Sequence, residues 1–287
     1  MKNNKGLLFI IGILIILFTS SCSIKKDDLE NAVIYTTVYP INYLTKYLYS
    51  DYGNISSIYP KDCDIDNYKL TDKQLNNYAK ADLFIYNGLS KEKELAKKLI
   101  NKNKKMLIID VSYGLTLQND SSELWLSPNN YLMLAKNIKD NLIEYLTSKM
   151  IIEQIENNYR DFEENISIMD ALLHSYGTDA QENNKNIIIT SNNTFKFLNN
   201  YGFNVISLED NANLKDNKLN AIKNNFSSEK YKYILTLSSD QNNDVIKDLA
   251  DNYNAKLITV DPLIVTLEDD YFNIMTDLIE NIKLAAC

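Results

Sequence analysis

The sequence predicts an α/β protein: two lobes, each built on a parallel sheet, joined by one long interlobe helix, with a ligand cleft between the lobes. Three observations carry this. Short β-branched or apolar runs alternate with amphipathic stretches, the pattern of strand–helix–strand units in a parallel sheet. These runs form two clusters, separated by a strand-free interval at 129–176 in which apolar residues recur at helical spacing. Gly and Pro number only 7 and 4, which fits a helix-rich chain with few tight turns.

In chain order, the first cluster comprises strands at 33–38, 82–86 and 106–111. In the interval, Leu134, Ile138, Leu142 and Leu146 define one helical face. Ser148, after Leu146 and Thr147, can cap a second helix, on which Ile152, Ile155, Tyr159, Phe162, Ile166, Met169 and Leu173 share a face. The second cluster lies at 186–190, 204–208, 233–237 and 256–260. The resulting layout is an N-terminal α/β lobe at 33–146, an interlobe helix at 147–176 and a C-terminal α/β lobe at 177–287, both lobes Rossmann-like. A helix of about 28 residues spans roughly 40 Å and would hold the lobes at a fairly fixed angle. The cleft between two such lobes is the usual place for a ligand.

The first residues have a different character. Basic Lys2 and Lys5 precede an apolar run at 7–18, then small Thr19, Ser20 and Ser21, then Cys22. This is the layout of a secretory signal, and its apolar run is too short to span a bilayer comfortably. The position of Cys22 resembles a bacterial lipobox, in which that cysteine becomes the lipidated first residue, although Thr19 stands where the pattern prefers Leu. The division expected is a lipoprotein signal peptide at 1–21 and a charged tether at 22–32. Removing 1–21 takes away two lysines and no acid, so the formal charge of -8 becomes -10. That balance argues against nucleic acid or an anionic lipid surface as the main partner. Cys22, Cys63 and Cys287 exclude a disulfide framework, and Cys63 and Cys287 are expected to be free thiols.

The stretch "DCDIDNY" at 62–68 carries a carboxylate at every second position from 62 to 66. Asp62, Asp64 and Asp66 have the first, third and fifth spacing of an EF-hand loop, but Asn67 stands where the turn needs Gly and Lys73 where it needs Glu. An enzyme is not expected. There is no Gly-rich nucleophile turn or phosphate loop, and the single histidine, His174, falls on the interlobe helix as a surface or packing residue. The stretch at 238–240, Ser-Ser-Asp, reads as a turn or helix cap.

Four colinear segments resemble the zinc/manganese-type solute-binding lipoproteins of ABC importers, the cluster A-I metal-binding proteins. They are "YTTVYPINYLTKYL" with its Thr37-to-Pro40 turn followed by "KADLFIYNG"; "ELWLSPNNYLMLAKNI"; "ITSNNTFKFLNNYGFNVI"; and "AKLITVDPL". The resemblance covers the chain from about residue 33 onward and places the family's metal ligands on Asp66, Glu123, Asn192 and Asp261. The family's two first-lobe histidines are thus replaced by acids, its second-lobe His or Glu by an amide, and only the last acid is kept.

The resemblance implies a transported divalent metal, an ABC permease with its ATPase as partners, and a monomer held by lipid on the extracytoplasmic face of a bacterial cell membrane. An all-oxygen set suits manganese, magnesium or calcium, whereas zinc sites draw on imidazole or thiolate. Three outcomes stay open: retained binding of a hard cation, zinc nonetheless, or a degenerate site in a surface adhesin or accessory module with another ligand or none.

Overall fold

The computed structural model describes residues 29–60, 63, 65, 67–116, 123–211, 216–263 and 270–286. The first lobe runs β1 (Val33–Thr36), α1 (Tyr39–Tyr49), β2 (Asn54–Ser57), α2 (Asp72–Tyr78), β3 (Leu83–Tyr86), α3 (Glu92–Lys102), β4 (Leu107–Asp110) and α4 (Pro128–Glu144). Then comes α5 (Lys149–Glu182), 34 residues or about 51 Å long. The second lobe follows with β5 (Ile187–Thr190), β6 (Asn204–Ser207), α6 (Leu208–Asn211), α7 (Asp216–Ser227), β7 (Tyr233–Leu237), α8 (Asp244–Tyr253), β8 (Lys256–Val260) and α9 (Tyr271–Ala285). Among the described residues, 3₁₀ segments at Ser50–Tyr52, Leu124–Leu126, Asn193–Tyr201 and Ser238–Asp240 complete the order.

Local chemistry sets the helix starts. Pro40 occupies the first turn of α1, where its missing N–H costs nothing. Thr71 and Gln74 form a reciprocal capping box on α2. Ser148 caps α5 by accepting from the Ile151 N–H, and Asp270 caps α9 through Phe272 N–H at 2.8 Å.

Both sheets are parallel and share one topology, β2-β1-β3-β4 and β6-β5-β7-β8. Seven of the eight strands lie where the apolar runs predict them. The exception is β2, "NISS", an edge strand with a single apolar residue, whose pairing with β1 rather than any hydrophobic pattern makes it a strand.

Each sheet has an inner and an outer core. The outer faces carry separate clusters, Phe84, Tyr86 and Leu99 on the first sheet and Phe226, Ile246 and Leu249 on the second. The inner faces share one cluster, which runs from Ile34 and Leu83 through Tyr131 and Phe162 to Leu235, Leu263, Tyr271 and Ile279. Aromatic rings form its middle: Tyr131 lies 4.1 Å from Tyr271 and 5.4 Å from Phe162, and Tyr47 lies 5.5 Å from Phe162, centroid to centroid. Helix α5 passes through this shared layer, packing on α1, α4 and α9. The lobes therefore meet through a continuous apolar seam.

Candidate functional site

In a sheet of order 2-1-3-4 the connections reverse direction between the first and third strands, and the crevice beyond their carboxyl ends is where open α/β folds place ligands. In the second lobe that crevice lies beyond β5 and β7. Thr190 ends β5, so Ser191 and Asn192 emerge into it. Leu237 ends β7, and the one-turn 3₁₀ helix after it brings up Asp240.

The two strand ends are bonded to each other. Asp240 Oδ2 accepts the Ser191 hydroxyl at 2.7 Å and the Asn192 amide N–H at 2.7 Å, and its Oδ1 accepts the Ser239 hydroxyl at 3.3 Å. Asn192 Oδ1 accepts the Thr194 N–H at 3.0 Å, which caps the following 3₁₀ helix. The amide is thus fixed at both ends, with Oδ1 facing a backbone donor and Nδ2 facing a carboxylate.

Asp261 follows β8, and because Val260 pairs with Leu237 it lies one strand over from the turn that carries Asp240. It is exposed, and its Oδ1 accepts the Leu263 N–H at 2.7 Å, leaving Oδ2 as the oxygen with capacity for a ligand. A cavity of about 220 Å³ beside it is lined by Leu126, Val260, Leu263 and Met275, so residues of both lobes wall it. Glu123, half-buried, immediately precedes the 3₁₀ turn of Leu124–Leu126. Two residues on, the Trp125 indole Nε1–H crosses to the second lobe and donates to the Pro262 carbonyl at 2.7 Å. Glu123 and Asp261 are therefore each within two residues of one interlobe hydrogen bond.

The equivalent crevice of the first lobe is lined by buried polar residues, among them Thr37, Asn87, Glu92 and Ser112. Asp110 Oδ1 accepts from Gly88 N–H at 2.9 Å and from the Ser112 N–H and hydroxyl at 3.0 and 2.7 Å. Glu92 Oε2 accepts the Asn87 N–H at 2.8 Å. Burial pushes the Glu92 carboxyl up to about 7; the Thr37 hydroxyl and Asn87 N–H oppose this, and neighbouring Asp110 adds to it. Glu92 thus organises the turn after β3 from beneath.

Of the four residues expected at the site, Asn192 and Asp261 follow β5 and β8 of one sheet, with β7 and its Asp240 turn between them, and the segment of Glu123 reaches the Asp261 turn across the lobe boundary through the Trp125–Pro262 bond. Asp66 lies outside the described residues, as do Asp62, Asp64, Cys22 and Cys287. Cys63 is a half-buried thiol. Among the described residues, no three His, Cys, Asp or Glu side chains gather into a group that could hold a metal ion. His174 packs its ring 4.6 Å from that of Tyr201, with Nε2 3.8 Å from Asp170.

Asp240 is the polar group that sequence reasoning missed. The stretch at 238–240 is indeed a turn, but its carboxylate also holds Ser191 and Asn192. An acid just past a strand was visible in the sequence, but that this strand neighbours β5 was not.

Comparison with known proteins agrees with this architecture. The family described as zinc-uptake complex component A, periplasmic (ZnuA) matches residues 34–285. A metal ABC transporter substrate-binding lipoprotein of Lactococcus lactis is 28% identical over 68% of the chain and 67% of its own length. The high-affinity zinc uptake system protein ZnuA of Bacillus subtilis is 25% identical over 62% and 60%. The manganese ABC transporter substrate-binding lipoprotein PsaA of Streptococcus anginosus is 29% identical over 67% and 67%. Among solved structures, the metal-dependent lipoprotein YcdH of Bacillus subtilis superposes with a TM-score of 0.72 at 21% identity, covering 89% of this chain and 99% of that one. Zn(II)-bound AdcA of Streptococcus pneumoniae gives 0.72 at 20% identity, over 89% and 58%. At these identities the structural likeness establishes the fold, and the family match, which spans nearly the whole of the two lobes, establishes kinship. The chain belongs to the ZnuA family.

Proposed function

We propose that this chain is the extracytoplasmic solute-binding lipoprotein of a metal ABC importer, a binding protein rather than a catalyst, and that it takes a divalent cation on oxygen donors. The observation that carries this is the crevice beyond β5, β7 and β8, where Asn192, Asp240 and Asp261 stand past the strand ends and the segment of Glu123 is bonded, through Trp125, to the turn that carries Asp261. Asp66 would complete the set from the first lobe. The relatives' names include both zinc and manganese, so the cargo is argued from the donors. Carboxylates and an amide, with no imidazole or thiolate, favour manganese or another hard cation over zinc. Late transition metals bind more tightly to almost any shared site, and the missing imidazoles narrow that advantage.

Metal-stripped protein should release heat and gain thermal stability on titration with manganese, and with calcium more weakly. Asp261→Ala and Glu123→Ala should each weaken manganese binding by about tenfold or more, the scale of losing one charged oxygen ligand. Asp240→Asn should weaken it less, because it leaves the Asn192 amide in place but removes a charge. No response to manganese, zinc or calcium would overturn the cation reading.

A cognate permease and ATPase would receive the cargo, and Cys22 would carry the lipid that holds the protein at the membrane. Among the described residues no helix is long and apolar enough to cross a membrane; the lipid anchor is argued from the place of Cys22 after the apolar run at 7–18 and the small residues at 19–21. In cells, Cys22→Ala should move the protein from the membrane fraction to the soluble fraction. Retention in the membrane fraction would argue for an uncleaved apolar segment instead.

A further inference from the structure

Three restraints converge on the turn formed by Asp261, Pro262 and Leu263. Leu263 has φ of 61°, a left-handed conformation that a bulky side chain rarely adopts and that persists only where its surroundings over-determine it. Its side chain is fully buried in the core shared by the lobes. Its N–H donates to Asp261 Oδ1 at 2.7 Å. The carbonyl just before it, that of Pro262, accepts the Trp125 indole at 2.7 Å. One of these restraints lies within the candidate ligand's own lobe, one is the core that both lobes share, and one comes from the other lobe.

Trp125 is itself held firmly enough to act as a post. It is 3% exposed, and its carbonyl accepts the Tyr271 hydroxyl at 2.6 Å. The Tyr271 ring lies 4.1 Å from that of Tyr131, whose hydroxyl donates to the Pro40 carbonyl at 2.8 Å. Contacts therefore run from the start of α1 to the turn of Asp261 without a break. Packing alone would be served by any aromatic ring at 125. The indole differs in carrying one donor, and that donor is aimed at the strained turn.

We propose that Trp125 is a positioning residue: its Nε1–H holds the Asp261 turn in the strained form and so fixes Asp261 relative to Glu123, two residues from the indole. The ordering cost of bringing ligands from two lobes together is then met in folding, before any cation arrives. This inference rests on reading the cleft as a cation site, and its test separates the two.

Trp125→Phe keeps a ring and removes the donor. Hydrogen–deuterium exchange at the Leu263 amide should become at least about tenfold faster, because the turn is free to relax. Manganese affinity should fall about tenfold. In an Asp261→Ala background, titrated at millimolar manganese, the same substitution should cost no further affinity, since the ligand it positions is gone. Unchanged Leu263 exchange together with unchanged affinity overturns the proposal. An equal affinity loss with and without Asp261 also overturns it, because that marks a general structural role. If the parent protein binds no cation, the cation reading fails and the exchange arm alone decides: faster exchange supports the positioning role and unchanged exchange overturns it. Should Trp125→Phe fail to fold, Tyr271→Phe, which removes only the bond to the Trp125 carbonyl, carries the same readouts.

Discussion

Gly177→Ala is expected to lower stability by about 3 kcal/mol, the upper part of the range for overpacking a close contact, even though Ala is the better helix former. Gly177 is buried inside α5. A methyl group there would lie 1.7 Å from the Tyr201 carbonyl oxygen and 2.8 Å from its carbon. The obstacle is backbone, so no side chain can swing away. Tyr201 is also pinned, with its hydroxyl bonded to Asp170 at 2.6 Å and the next residue, Gly202, held through its carbonyl by Gln181 and Asn186. Intrinsic propensity alone would make the variant about 1 kcal/mol more stable, so the sign of the change decides between the two effects. Urea denaturation measures it, and a variant as stable as the parent would mean that α5 can move off the 3₁₀ segment. That segment begins just after Asn192, so a shift of α5 should also disturb the bonds of Asn192 to Asp240.

The same close approach shows what the sequence could and could not reveal. Strands such as β3, "LFIY", buried along its whole length, and β8, "KLITV", announce themselves by β-branched and apolar residues. The long helix was legible in its apolar spacing from Ile152 to Leu173. β2 was not, because an edge strand with one apolar residue draws its order from its neighbour. The positions of Asn192 and Asp261 just past strands could be read along the chain. Their surroundings could not: Asp240 reaches Asn192 only because β7 lies beside β5, and Trp125 meets Pro262 across 137 residues. Hydrophobic periodicity reports which face of an element is buried; strand order and the meeting of lobes are set by contacts distant in sequence.

The first lobe also holds a buried acid. Glu92 sits under the turn after β3, and its carboxyl is pushed from 4.5 to about 7, first by burial and then by neighbouring Asp110, against the opposing Thr37 hydroxyl and Asn87 N–H. The folded protein therefore holds this proton more tightly than the unfolded chain does. For an acid raised in this way the stabilisation is complete below pH 4.5 and is lost as the pH rises through about 7. The gap corresponds to roughly 3 kcal/mol. Glu92→Gln keeps an acceptor for the Asn87 N–H and removes the charge, so its stability should lack this loss. Measured by denaturation at intervals from pH 4 to 8.5, the parent should fall behind the Gln variant by roughly 3 kcal/mol as the pH crosses this window, with the difference levelling off above it. Taking the difference between the two proteins cancels the titration of the many surface carboxylates they share. Parallel profiles would mean that Glu92 ionises in the fold as readily as in the unfolded chain, and that the Asn87 N–H bond and the nearby Thr37 hydroxyl fully offset its burial.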